Sequence, residues 1–236
     1  MIMIITSKFN LMKEIYLCFC LLLVSLLIFS SACAQYEKVP DTVVKKWIGL
    51  TPVNKHTKIK ALAVGLTPAF GFADEGYINI NGLNLELGAF GIIAGPYGLM
   101  YGFAGVKDSS GHKNNFFSSY GYADASELHY IKYGTTINGL SVSGGGITVI
   151  SKNNGVFING LASLSYITNG IQVSGLINAL YKCNGILIGG IANKVQKANG
   201  LMIGLINNCQ SGNLVQIGLF NRIGHRVIPF INCRFQ

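Results

Sequence analysis

An Asn-Gly pair opens at Asn154, Asn169, Asn184 and Asn199, fifteen residues apart each time, and a shorter copy begins at Gly212. The segments read NGVFINGLA, NGIQVSGLIN, NGILIGGIAN, NGLMIGLINN and GNLVQIGLFN. A period this short, held this closely, requires stacked or serially paired supersecondary units. Three aliphatic columns follow the pairs. The first holds Val156, Ile171, Ile186 and Leu201. The second holds Ile158, Val173, Ile188 and Ile203. The third holds Leu161, Leu176, Ile191 and Ile206.

Gly155, Gly170, Gly185 and Gly200 tolerate positive φ, and Asn does so better than most residues, so each pair marks a turn. The residues between turns are mostly Ile, Val and Leu, which is strand chemistry. Helices are excluded from Asn138 to Asn221, and the chain reads as all-β. Two arrangements satisfy the pattern. In a β-solenoid each unit is one coil, the aliphatic columns fill the core, and the Asn positions form ladders along the stack. The third column falls seven positions after the Asn rather than six, which places a corner near Gly160, Gly175 and Gly190. In an antiparallel meander or outer-membrane barrel each Asn-Gly is a hairpin loop, and strands of about ten residues suit a bilayer. A barrel alternates upward and downward strands, so its natural repeat is a hairpin. Here a single unit repeats, which favours the solenoid. On that reading Ile171, Val173, Leu176, Ile186, Ile188, Ile191, Leu201, Ile203 and Ile206 point inward, and Leu187 points to the other face.

Ahead of the repeats, Leu17 to Ser31 is an apolar run behind Lys8 and Lys13, ending in Ala32-Cys33-Ala34. This is the order of a secretory signal, which would span residues 1–34. Cleavage after Ala34 would leave Gln35 first. The stretch Ser30-Ser31-Ala32-Cys33 is similar to a relaxed bacterial lipobox, which makes Cys33 a candidate for lipidation. Both routes imply a protein exported to the outer membrane or cell surface of a Gram-negative bacterium.

Residues 35–136 read as an N-terminal β-rich region. It starts with an edge segment holding Pro40, Pro52 and the single Trp47. Pro68 demotes Ile59 to Phe72 from a central strand. Asn81-Gly82 precedes an alternation of Leu83, Leu85 and Leu87. Gly88 to Phe103 is apolar throughout, and its glycines and Pro96 make it a poor spanning helix, so it reads as buried strands or a membrane-contacting hairpin. Residues 106–136 form a polar loop. Its Asp108, His112, Asp124 and His129 match no metal-ligand spacing. Residues 137–236 hold the repeats and a terminal strand in which Val227, Ile231, Cys233 and Phe235 share a face.

The chain carries a net charge of +9, and all nine of its carboxylates lie at or before Glu127. The later half is purely basic, which suits anionic surfaces such as phosphorylated glycolipid or acidic polysaccharide. Nucleic acid fits poorly, because the basic residues are not interleaved with aromatics. Cys183, Cys209 and Cys233 are odd in number and widely spaced, so they build neither a disulfide framework nor a metal motif and read as small buried apolar side chains. No nucleophile, base and orienting acid come together in the repeat half, and no cofactor motif is present, so no catalytic or cofactor-binding residue is assigned.

These residues carry a resemblance. Asn81 to Glu86, the repeats from Asn138 to Asn221, and Arg226-Val227-Ile228-Pro229-Phe230-Ile231-Asn232 resemble bacterial surface-repeat proteins with NGLxIGLxN units and an RxxPFINxxF ending. That family supplies no activity or catalytic residues to carry over. The unit Gln216-Ile217-Gly218-Leu219-Phe220-Asn221 is also similar to curlin-type repeats, which stack as solenoids in extracellular fibres. The Gln departs from the other copies, where Val173 and Ile188 are taken to hold its place. The expected function is a non-enzymatic surface protein presenting a basic β-surface to glycan, lipid or a partner. The alternatives are a small membrane barrel acting as pore or anchor, and a fibre subunit.

Overall fold

The computed structural model describes residues 43–53, 56–68, 78–107, 113–117, 134–147 and 151–235. The signal segment, Cys33, and the Asp108, His112, Asp124 and His129 group lie outside the described residues. Within them the chain forms a β-solenoid of about nine turns.

The strands are β1 (Val44–Thr51), β2 (Thr57–Gly65), β3 (Ile78–Glu86), β4 (Val106–Lys107), β5 (Lys113–Asn114), β6 (Thr135–Ser143), β7 (Ser151–Asn159), β8 (Ala162–Ser174), β9 (Ile177–Gly189), β10 (Ala192–Ile203), β11 (Ile206–Ser211), β12 (Leu214–Ile223) and β13 (Arg226–Arg234). Among the described residues one helix, α1, spans Ala89–Ala104. Eleven strands make a single sheet whose order follows the chain, with β4 and β5 pairing separately. Neighbours in the large sheet are parallel until β13, which returns antiparallel against β12 and closes the series. An outer-membrane barrel or meander needs antiparallel neighbours. The parallel register therefore removes both.

Like stacks on like: Asn154, Asn169, Asn184 and Asn199 are in register from β7 to β10, as are the glycines after them. The Asn-Gly pairs are not hairpin loops. They bend strands from within, at glycine φ of 128°, 127°, 135° and 131° for Gly155, Gly170, Gly185 and Gly200. A Cβ on Gly170 would also overlap the carbonyl oxygen of Gly155. The second corner lies where the spacing places it, with the strands interrupted around Gly160, Gly175 and Gly190. There the constraint is close approach, since a Cβ on Gly175 would overlap the Gly160 carbonyl.

The facing of the strands is the reverse of the sequence expectation. Leu187, Met202 and Phe157 are fully buried, and their neighbours at the aliphatic columns are not. Ile171 is exposed. Val173, Leu176, Ile186, Ile188, Ile191, Leu201 and Ile203 are half-buried, and only Ile206 of the expected core is buried. The interior column instead runs Ala63, Asn84, Ser141, Phe157, Gln172, Leu187, Met202 and Gln216. Gln216 thus shares its column with Gln172, not with Val173 or Ile188. The apolar core is assembled from Leu180, Cys183, Leu187, Val195, Met202 and Leu214 at one end, and from Ile59, Ile80, Ile137 and Phe157 at the other.

Two asparagine ladders hold the stack. On the first corner, each Asn donates through Nδ2 to Oδ1 of the Asn one coil earlier: Asn138 to Asn81 (2.8 Å), Asn154 to Asn138 (2.7 Å), Asn169 to Asn154 (2.8 Å), Asn184 to Asn169 (2.8 Å) and Asn199 to Asn184 (3.1 Å). A second ladder is buried. Asn178 donates to Asn193, Asn193 to Asn207, and Asn207 to Asn221, at 2.8–2.9 Å. Asn178, Asn193 and Asn207 each also donate to a backbone carbonyl ten residues on, so buried amides stay paired.

Three further expectations change. β2 lies between β1 and β3 despite Pro68, because the strand ends at Gly65 before the proline. Cys183 and Cys209 are buried, with burial pushing both thiols up to about 12, but Cys233 is exposed. Gly88 to Phe103 is not strand. Gly91, Gly95, Gly98 and Gly102 fall on one side of α1, and that side lies against Gly145, Leu161, Ile177 and Phe116. Larger side chains there would collide, so close approach to the stack outweighs the poor helix propensity of glycine.

Candidate functional site

The residues two and four positions after each Asn-Gly corner point away from the interior. Because the register is parallel, they form two straight columns across the whole sheet. The first runs Ile48, Leu62, Leu83, Leu140, Val156, Ile171, Ile186, Leu201 and Val215. The second runs Leu50, Val64, Leu85, Val142, Ile158, Val173, Ile188, Ile203 and Ile217. All eighteen are Ile, Leu or Val. Coils in a sheet repeat about every 4.8 Å, so the two columns extend for about 38 Å. Pairing of β13 with β12 sets Cys233 opposite Val215 and Ile231 opposite Ile217, and both are exposed.

An exposed aliphatic face of this length is far from the scatter of single apolar residues found on ordinary surfaces. Ile158 is 45% exposed and Leu50 80%.

Each long border of the face has its own chemistry. Beyond the Asn corner, two residues before the Asn, another column runs Lys45, Lys58, Asn79, Thr136, Lys152, Ile167, Lys182, Lys197 and Ser211. Five of its nine members are lysines. Trp47 sits on the same border at the bulge in β1, 70% exposed, with the Lys60 ammonium 5.1 Å from its ring centroid. Beyond the glycine corner lies α1. Its glycine side is against the stack, and Phe90, Ile92, Ile93, Tyr97, Met100 and Phe103 are exposed. The helix carries no charged residue. It is sixteen residues long, and among the described residues no helix is long and apolar enough to cross a membrane.

The next side of the stack is covered rather than open. Phe116 packs with Ile177, Ala192 and Ile206. Lys194 Nζ donates to the carbonyl of Asn115 (2.7 Å), Asn208 Nδ2 to that of Phe116 (2.8 Å), and Arg222 to that of Phe117. Burial, with Arg222 nearby, brings the Lys194 ammonium down to about 8.

Charge is one-sided. Glu86 is the only carboxylate among the described residues, and it is buried inside β3. Burial raises it to about 7, against a hydrogen bond from Asn84 that pulls the other way. Its Oε2 finds no partner among the described residues. Among them, no group of three His, Cys, Asp or Glu comes together to hold a metal.

The repeat pairs Asn154-Gly155, Asn169-Gly170, Asn184-Gly185 and Asn199-Gly200 are therefore brought together as one border of the face. The residues expected as core line the face itself. The lysine column escapes inspection of the sequence, because Lys58 and Lys152 belong to coils separated by inserts of unequal length. Lys152, Lys182 and Lys197 keep the fifteen-residue period, with Ile167 in the place between the first two, whereas Lys45 and Lys58 do not. Compared with protein-family models, curated proteins and solved structures, the chain gives no match in any of the three.

Proposed function

We propose that this chain is an exported, non-enzymatic protein of the cell surface or outer membrane, which works by presenting one side of a β-solenoid to the anionic material of the envelope. The observation that supports the reading most is the pairing of an unbroken outward aliphatic face with a lysine border. Surfaces of that kind mark contact sites, whereas catalysis calls for a concave site with convergent polar groups. The apolar run at Leu17–Ser31 and the Ala32-Cys33-Ala34 exit support export.

Fractionation of cells tests the reading. The protein is expected in the envelope fraction, with its N-terminus at Gln35 or blocked at Cys33. Alkaline carbonate should release it if it is held peripherally. If a lipid on Cys33 holds it, Cys33→Ser should be needed for release. A cytosolic chain that still begins at Met1 or Met12 would contradict the reading.

A further inference from the structure

We propose that the outward aliphatic face lies flat on a lipid leaflet bearing anionic headgroups, with the lysine column set along its border against the phosphates and α1 extending the apolar contact on the other side. This rests on the envelope reading above and names its partner.

Three physical arguments select lipid over the other occupants. A glycan needs hydrogen-bonding groups and aromatic platforms, and the eighteen positions of the face carry no polar or aromatic side chain. A second copy offers the lysine border no anionic partner among the described residues, where Glu86 is the only carboxylate and is buried. A leaflet offers both an apolar layer and a sheet of negative charge at its rim. An interfacial element binds through buried apolar area together with attraction to anionic lipid, and this face supplies both. Trp47 stands where the two meet, on the border between Ile48 and the lysine column. That is the depth at which an indole ring is favoured, with one side apolar and the other wet.

The geometry also explains why the face is aliphatic and even. Parallel register sets the side chains of successive coils in straight columns. Ile, Val and Leu are compatible with the strand below and with hydrocarbon above.

The test uses the protein as cells export it, with vesicles of phosphatidylcholine alone and vesicles containing phosphatidylglycerol. Binding is followed by flotation and by the fluorescence of Trp47, the single tryptophan of the chain. The expected result is binding to the anionic vesicles, a blue shift of Trp47, and weakening by salt. Ile158→Asn with Ile188→Asn should abolish binding while protease resistance stays that of the wild type. Lys152→Gln, Lys182→Gln and Lys197→Gln together should weaken binding to anionic vesicles on the order of 100-fold, at about fivefold per lysine. Wild-type protein that ignores both kinds of vesicle overturns the proposal. So does binding that the Ile158 and Ile188 changes leave intact. A stable dimer that those changes dissociate would make a second copy the occupant, and retention on acidic polysaccharide without vesicle binding would make it a glycan. An envelope protein that fails on vesicles sinks this docking and leaves export standing. A cytosolic protein sinks the export reading by a separate measurement.

Discussion

The outer surface of the strands after each Asn-Gly corner carries only aliphatic side chains, whereas the inner surface of the same strands carries Asn84, Ser141, Gln172 and Gln216 beside Phe157, Leu187 and Met202. An ordinary half-buried sheet has the opposite order. The difference teaches that polarity alone does not decide which side of a solenoid is inside. A buried Gln or Asn is tolerable when it is paired. Gln172 accepts from Thr168 at 2.7 Å and donates to Asn178 at 2.9 Å. Buried polar groups satisfied in this way rigidify a core without the cost of an orphaned donor. The aliphatic columns, by contrast, need uniformity only if something flat meets them.

The largest expected effect separates the two surfaces at adjacent residues. Leu187→Asp places a carboxylate among Leu180, Met202 and Leu214 and should destabilise the fold by about 4 kcal/mol, spreading to both neighbouring coils. In urea unfolding Ile188→Asp, on the outer surface, should cost about 1 kcal/mol or less. Equal losses from the two substitutions would erase the distinction between the surfaces.

Glu86 sharpens it from the polar side of the interior. Its folded carboxyl sits at about 7 against an ordinary value of 4.5. As pH rises between those values the unfolded chain loses its proton first, so stability falls and the penalty is complete above about pH 7. Glu86→Gln should therefore stabilise at pH 8 by about 3 kcal/mol and do little near pH 4. A gain that is the same at both values would contradict burial as the cause.

Asparagine ladders give a smaller contrast. Asn193→Ala removes two donated bonds and takes the acceptor from one N–H of the buried Asn178 amide, for about 2 kcal/mol. Asn184→Ala on the outer corner should cost about 1 kcal/mol, since water can replace its partners. Thermal melts of the two variants measure the ordering, and a larger loss at Asn184 would reverse it.

Several features could be read before any coordinates. The fifteen-residue period, the strand chemistry of Ile and Val, the bends at Gly170 and Gly175 and the Asn154 to Asn199 ladder all follow from short-range rules, and each is present. Three features could not be read this way, for different physical reasons. Alternation places Leu187 and Ile188 on opposite sides but cannot say which side is inside, and hydrophobicity alone points the wrong set inward. α1 contains four glycines and Pro96, which argue against a helix one residue at a time. Only the neighbouring stack shows that the glycines share one side and touch it. The lysine column joins residues as far apart as Lys45 and Lys197; Lys152, Lys182 and Lys197 keep the fifteen-residue period, but Lys45 and Lys58 lie beyond the break where Asn81 and Asn138, partners in register, stand 57 positions apart, so no local period announces the whole column. The buried ladder through Asn178, Asn193, Asn207 and Asn221 does keep a spacing of fifteen, fourteen and fourteen residues, and that signal was available in the chain.

The aliphatic columns face out and the mixed column faces in. Ser141→Cys and Val142→Cys, each made with Cys233→Ser in a chain that begins at Gln35 and so lacks Cys18, Cys20 and Cys33, test it directly with a thiol reagent added to the folded protein in the absence of lipid. Cys183 and Cys209 are buried and serve as the silent background. Ser141 is 1% exposed and Val142 37%. The thiol at 142 should react within the time a free thiol takes, and the thiol at 141 only on unfolding. Rapid labelling at 141 with protection at 142 would contradict the account.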